Sequence, residues 1–148
     1  MATLQLSVAA LRVVGDDVIP SEISLLLGTE PSQASIKGEP IQANQSGRSR
    51  SARTGSWRLQ VPDREPGDPN AQVADLLGQL TTDLQVWRDV AERFQVDLFC
   101  GWLMGESNEG ISLTPETLQA LGERGIELQV DIYGPESEAS IRRLAKHD

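Results

Sequence analysis

Leu4, Leu6 and Val8 alternate with Thr3, Gln5 and Ser7, and the apolar phase then moves across Ala9-Ala10 to Leu11 and Val13. A period of two predicts one long strand, and the slip of phase predicts a bulge inside it. Gly15-Asp16-Asp17 ends that run. Pro20-Ser21-Glu22 suits the first turn of a short helix whose apolar side is Ile23, Leu26 and Leu27, with Gly28 as its stop and Pro31 preventing continuation. Gln33 to Lys37 predicts a brief second strand. Trp57, Leu59 and Val61 alternate with Arg58 and Gln60 and predict a third, ending at Pro62.

Farther along, Val73, Leu76, Leu77, Leu80, Leu84, Trp87, Val90, Ala91 and Phe94 recur at steps of three and four. That stripe predicts one continuous helix of roughly six turns. Val96, Leu98, Cys100, Trp102 and Met104 alternate with positions that are themselves mostly apolar, which predicts a central strand covered on both faces. Thr114-Pro115-Glu116 reads as an N-cap, a first-turn proline and a favourable acid, opening a short helix with Leu118 and Leu121 inward. Ile126, Leu128, Val130 and Ile132 predict a half-buried last strand. The segment 135–148 is expected as a weakly ordered tail with a short helix around Ile141 and Leu144.

Strands and helices in this order predict a single α+β domain over residues 1–148. The expected architecture is a two-layer sandwich: a mostly antiparallel sheet with helices on one face, a ferredoxin-like core extended by one helix and strand. A doubly wound nucleotide fold fits less well, because no Gly-rich turn joins an early strand to a helix.

Composition narrows the chemistry. At 148 residues and 39% hydrophobic content the chain can build one core. No apolar run approaches the roughly 18–20 residues needed to cross a bilayer, and the start lacks a basic signal region, so a cytoplasmic protein without membrane contact is expected. A net charge of −9 disfavours nucleic acid as a partner. With one cysteine, Cys100, and one histidine, His147, neither a disulfide framework nor a His/Cys metal site is expected, and no cofactor is implied.

Against this acidic background, Lys37, Arg48, Arg50, Arg53 and Arg58 face only Glu39 across their stretch. Residues 42–56 hold glycines, serines and arginines without hydrophobic period, which predicts a mobile connection. Its bland reading is a solvated loop. The sharper one is a loop that closes on an anion, a partner or the molecule's own acidic surface. Trp57 beside Arg53 and Arg58 would suit stacking of a planar anion or peptide, against the plainer alternative of core packing.

Several short motifs carry a resemblance. Gly15-Asp16-Asp17 with Pro20-Ser21-Glu22-Ile23, Leu26-Leu27-Gly28 and Pro31, then Lys37-Gly38-Glu39 and Arg53-Thr54-Gly55-Ser56-Trp57, resemble the bacterial family called domain of unknown function 4279. Leu98, Asn108, Gly110, the segment from Leu113 to Leu121 and Asp131-Ile132-Tyr133 agree with it. The resemblance implies a small bacterial domain, often standing alone, with no established catalytic residues to carry over.

Three functional readings follow. The leading one is a non-catalytic interaction module for a protein partner or for itself, including an immunity-like role in which the acidic excess neutralises a basic toxin. A second is a sensor of a small anionic ligand using the basic segment 37–58. The third is an enzyme of unrecognised type. The candidate binding residues are Lys37, Arg48, Arg50, Arg53, Trp57 and Arg58. No catalytic or metal-ligating residue stands out: Cys100 sits in an apolar strand, and Glu106, Asn108 and Glu109 lack the ligand spacing of a calcium loop.

Overall fold

The computed structural model describes residues 4–41 and 50–146. Its elements run β1 (Leu6–Gly15), α1 (Pro20–Leu27), β2 (Gln33–Ser35), β3 (Pro40–Ile41), β4 (Arg50–Ser51), β5 (Gly55–Arg64), α2 (Pro69–Leu77), α3 (Leu84–Arg93), β6 (Gln95–Leu103), α4 (Pro115–Glu123), β7 (Glu127–Tyr133) and α5 (Glu138–Lys146), with a 3-10 turn at Pro135–Ser137 before the last helix. Five strands form one sheet in the order β2-β5-β1-β6-β7, and β3 and β4 form a small hairpin beside it. Every pairing in the large sheet is antiparallel except β6 with β7. The class is α+β. Of a ferredoxin-like core the sheet keeps one split unit, in which β5 and β6 flank β1 and are joined by α2 and α3. The added unit, β6-α4-β7, is a parallel crossover at the edge.

The first strand explains the layering. Its odd positions Ala9, Leu11 and Val13 join the main core with Trp57, Leu59, Val61, Leu98 and Cys100, beneath Ile23 and Leu27 of α1, Leu76 of α2, Trp87 and Val90 of α3 and Leu121 of α4. Its even positions Leu6 and Val8 form a second cluster with Leu103 and Ile141 of α5 on the opposite face. The apparent slip of phase is therefore a change of which face is covered along one regular strand. The pairing of β1 with β6 keeps one register from Leu6 to Val14. An irregularity does lie between Ser7 and Ala9, but only in the pairing with β5, where Pro62 and Asp63 stand opposite a single residue. Proline cannot donate to a ladder, which makes that position a natural bulge.

Gln72 of α2 fills the disturbed place. Its Nε2 donates to the carbonyl oxygens of Ser7 at 2.9 Å and Pro62 at 3.1 Å, and its Oε1 accepts from Ser7 Oγ at 2.7 Å. Ser7 Oγ in turn accepts from the Asp68 amide at 2.9 Å. Both side chains are fully buried, so this small polar knot ties the bulge, β1 and the start of α2 together without leaving those groups desolvated and unbonded.

Two expectations are corrected. The helices do not all lie on one face: α1 to α4 cover one, and α5 covers one end of the other, where Gly101 makes room, since an added Cβ would lie 3.2 Å from Leu144 and 3.4 Å from Ile141. The single helix from Val73 to Phe94 is two. Gly78 caps α2, Asp83 caps α3 by accepting from the Gln85 amide at 2.9 Å, and between them the Thr81 amide donates to the Leu27 carbonyl at the end of α1. The break lets α2 cover β1 and β5 while α3 covers β6. In the segment 135–148, helix α5 anchors through Ile141, which is fully buried.

Of the mobile connection expected over 42–56, residues 42–49 lie outside the described residues. The remainder enters the fold. Arg50 and Ser51 pair with Ile41 and Pro40, Ala52 is buried and exchanges backbone bonds with Gly38 and Glu39, and Gly55 opens β5 opposite Gly15. A Cβ at Gly55 would come within 2.8 Å of the Gly15 and Val18 carbonyl oxygens, so the close approach of these strands requires glycine.

Gln72→Ala should lower the unfolding free energy by about 1–3 kcal/mol, because it strips partners from buried backbone and hydroxyl groups. Urea titration checks this through the midpoint; a midpoint equal to wild type would mean that water replaces the amide.

Candidate functional site

Beyond the end covered by α5, the second face of the sheet is polar. Register places Gln33 of β2 beside Arg58 of β5, Arg58 beside Arg12 of β1, Arg12 beside Asp97 of β6, and Asp97 beside Glu127 of β7. One cross-sheet row thus runs from basic to acidic. The neighbouring row holds Gln60, Ala10, Phe99 and Gln129, with Asp131 one step beyond on β7.

Arg12 organises the centre. Its Nε donates to Asp97 Oδ1 at 2.8 Å and its Nη2 to Asp97 Oδ2 at 2.7 Å, a bidentate pair, and Nη2 also donates to Gln129 Oε1 at 3.2 Å. The guanidinium lies 4.6 Å from the centre of the Phe99 ring, in the arrangement that a ring face favours for a cation. Hydrogen bonding to Asp97 raises the Arg12 pKa above its ordinary value against the opposing effect of partial burial, so the cation is locked on.

At the basic end lies a cleft of about 270 Å³ lined by Arg12, Val14, Gln33, Thr54, Ser56, Trp57 and Arg58. A second hollow of about 410 Å³, between β2 and the hairpin, shares Gln33 and Ser56 with it and adds Ser35, Glu39, Ile41 and Arg50. Ser35 and Ser56 are joined through their hydroxyls at 3.0 Å. Two arginines of the basic segment, Arg50 and Arg58, therefore border hollows that share Gln33 and Ser56.

The other residues singled out from the sequence go elsewhere. Trp57 follows its plainer alternative of core packing: it is fully buried, and its Nε1 donates to Ser24 Oγ of α1 at 3.0 Å. It points into the core because it alternates with Arg58 along β5. Lys37 donates to Asp16 at 3.0 Å. That bond, with a second from Thr54, holds the exposed Asp16 carboxyl below its ordinary range. Arg53 is exposed beside the hairpin in a smaller hollow with Ile41, Arg50 and Ser51. Arg48 lies outside the described residues, as does His147.

Sequence reading missed Arg12, Phe99 and Gln129. The signal for Arg12 was present: an arginine inside the otherwise apolar run from Leu6 to Val14 needs a partner. Cys100 is buried in the core, and burial first, with the nearby Asp97 charge second, pushes its thiol up from 9.0 to about 12. Among the described residues no group of three or more His, Cys, Asp or Glu side chains is placed to hold a metal, and no helix is long and apolar enough to cross a membrane.

Fold and site together define a small α+β domain whose sheet offers an ordered polar face. The family model described as "Domain of unknown function (DUF4279)" matches residues 4–135, and the chain belongs to that family. No curated protein and no solved structure matches the chain.

Near neutral pH the raised Cys100 pKa leaves about a thousandfold less thiolate than an exposed cysteine would carry. Cys100 in the native protein should therefore resist a water-soluble thiol reagent at pH 8 and react promptly in urea; equal rates in both states would refute the burial. Because the folded pKa is the higher one, the thiol's contribution to stability is whole below pH 9.0 and is lost as the pH rises toward about 12. Cys100→Ala should remove that part of the alkaline slope.

Proposed function

We propose that the protein is a non-catalytic binding module that docks a protein partner on the polar face of its sheet. The observation that carries this reading is the fixed row Arg58-Arg12-Asp97-Glu127, ordered by the bidentate pair and by Phe99 before any partner arrives. Ordering a long arginine in advance spares the entropy otherwise lost on association, which favours recognition. The row is bipolar, so it suits a partner that sets carboxylates over Arg58 and Arg50 and basic groups over Glu127 and Asp131. The reading further takes the module to act in a bacterial cytoplasm.

A small anionic ligand is the second reading, favoured by one observation: Arg58 and Arg12 both line the 270 Å³ cleft. Such a ligand would need only that corner and not the acidic end.

One set of variants tests both. Arg50→Ser combined with Arg58→Gln should keep the melting temperature within a few degrees of wild type, since partly exposed charges contribute little to stability. The same protein should lose capture of the partner that wild type retains from a lysate of the source bacterium. Undiminished capture would move the docking site off this face. A saturable rise in melting temperature with inorganic phosphate or citrate, abolished in the double variant, would favour the anion reading instead.

A further inference from the structure

Strand β7 ends the sheet, bonded to β6 on one side, and among the described residues no strand pairs with its outer edge. Exposed edges are usually blunted by shortness, proline or charged side chains, lysine above all. The seven residues of β7, Glu-Leu-Gln-Val-Asp-Ile-Tyr, contain neither proline nor lysine, and its two charges, Glu127 and Asp131, share the polar side. On the helix side the strand sets Leu128, Val130 and Ile132; the first two are partly buried, whereas Ile132 is 63% exposed. On the polar side it sets Glu127, Gln129, Asp131 and Tyr133.

We propose that β7 is a self-pairing edge: two copies of the chain join antiparallel through it, in the register centred on Val130. In that register Val130 faces Val130 of the second copy, and each Ile132 lies against the other copy's Leu128, so the apolar stripe meets itself. On the polar side each Asp131 meets a Gln129 amide and each Glu127 meets Tyr133. The neighbouring register with the same side-chain parity, centred on Gln129, would set Glu127 directly against Asp131 at two places, and directly opposed like charges destabilise a strand pair. The sequence of the strand therefore selects both the occupant and the alignment. A twofold axis normal to the sheet keeps the helix layers of both copies on one side, giving a closed isologous dimer. It also merges two polar faces into one larger one.

This inference does not depend on the docking reading above, and its variants avoid Arg50 and Arg58. Sedimentation equilibrium of the full chain should show a monomer-dimer equilibrium. Raising salt should tighten it, because each copy carries a net charge of −9 and screening removes their mutual repulsion. Ile132→Glu, at an exposed position that leaves folding intact by melting temperature, should weaken the dimer about tenfold or more. Gln129→Lys should tighten it severalfold beyond Gln79→Lys, which makes the same charge change at an exposed site away from β7, and Gln129→Glu should weaken it. A protein that stays monomeric at all accessible concentrations overturns the proposal. So does a dimer indifferent to Ile132→Glu, one that dissolves in salt, or one in which Gln129→Lys has no greater effect than Gln79→Lys.

Discussion

Strand β1 is hydrogen-bonded along both edges and covered on both faces at different places, and the remaining architecture answers to that double burial. Covering only the odd positions would leave Leu6 and Val8 in water, which is why a helix beyond the sheet returns to the opposite face. The return is local. Helix α5 reaches Leu6, Val8 and Leu103 and stops, so the other half of that face must be made of residues that tolerate water. Burial of each aliphatic side chain is worth roughly 1.5–3 kcal/mol. That is enough for the small second cluster to decide where the C-terminal segment lies.

Placing Arg12 on this central strand imposes the second constraint. A guanidinium at mid-sheet cannot reach freely into water on both sides, and leaving it partly desolvated without a counter-charge would be costly. Asp97 stands directly across in register, and the pair closes with two bonds of 2.8 and 2.7 Å. Asp97 is in turn next to Glu127 across β6 and β7. The charges on this face are thus arranged by pairing register, in a row, rather than scattered by composition.

Much of the fold was legible in the sequence because alternation reports directly which side of a strand is apolar. It located the strands around Trp57, Leu98 and Val130. It also held the answer for Trp57: a residue in phase with Leu59 and Val61 belongs to the core, and its neighbour Arg58 to the opposite face. The helix break was harder to see, because Leu80 continues the apolar stripe across the turn and remains buried there. The local stop at Gly78 and the cap at Asp83 were outweighed by a periodicity that two helices packed on one sheet share. The site was less legible. Arg12 and its acceptor Asp97 are 85 positions apart, and only the register of β1 on β6 brings them together. The concentration of arginines in the basic segment drew attention to net charge, whereas the geometry depends on which strand face each charge occupies.

A face that merely tolerates water does not need this degree of order. A solvated arginine keeps its rotamer freedom, and fixing one costs up to about 2 kcal/mol. An exposed ion pair usually returns less than about 1 kcal/mol. Arg12 is fixed nonetheless, by a fork onto Asp97, a bond to Gln129 and the ring of Phe99, with its side chain only 29% exposed and that of Asp97 13%. Partial shielding strengthens these contacts relative to an exposed pair and makes the ordering self-consistent. The result is an ordered charged centre, flanked by Arg58 on one side and Glu127 on the other. On the docking reading proposed above, an incoming surface would meet a centre already in place, which spares part of the ordering cost of association.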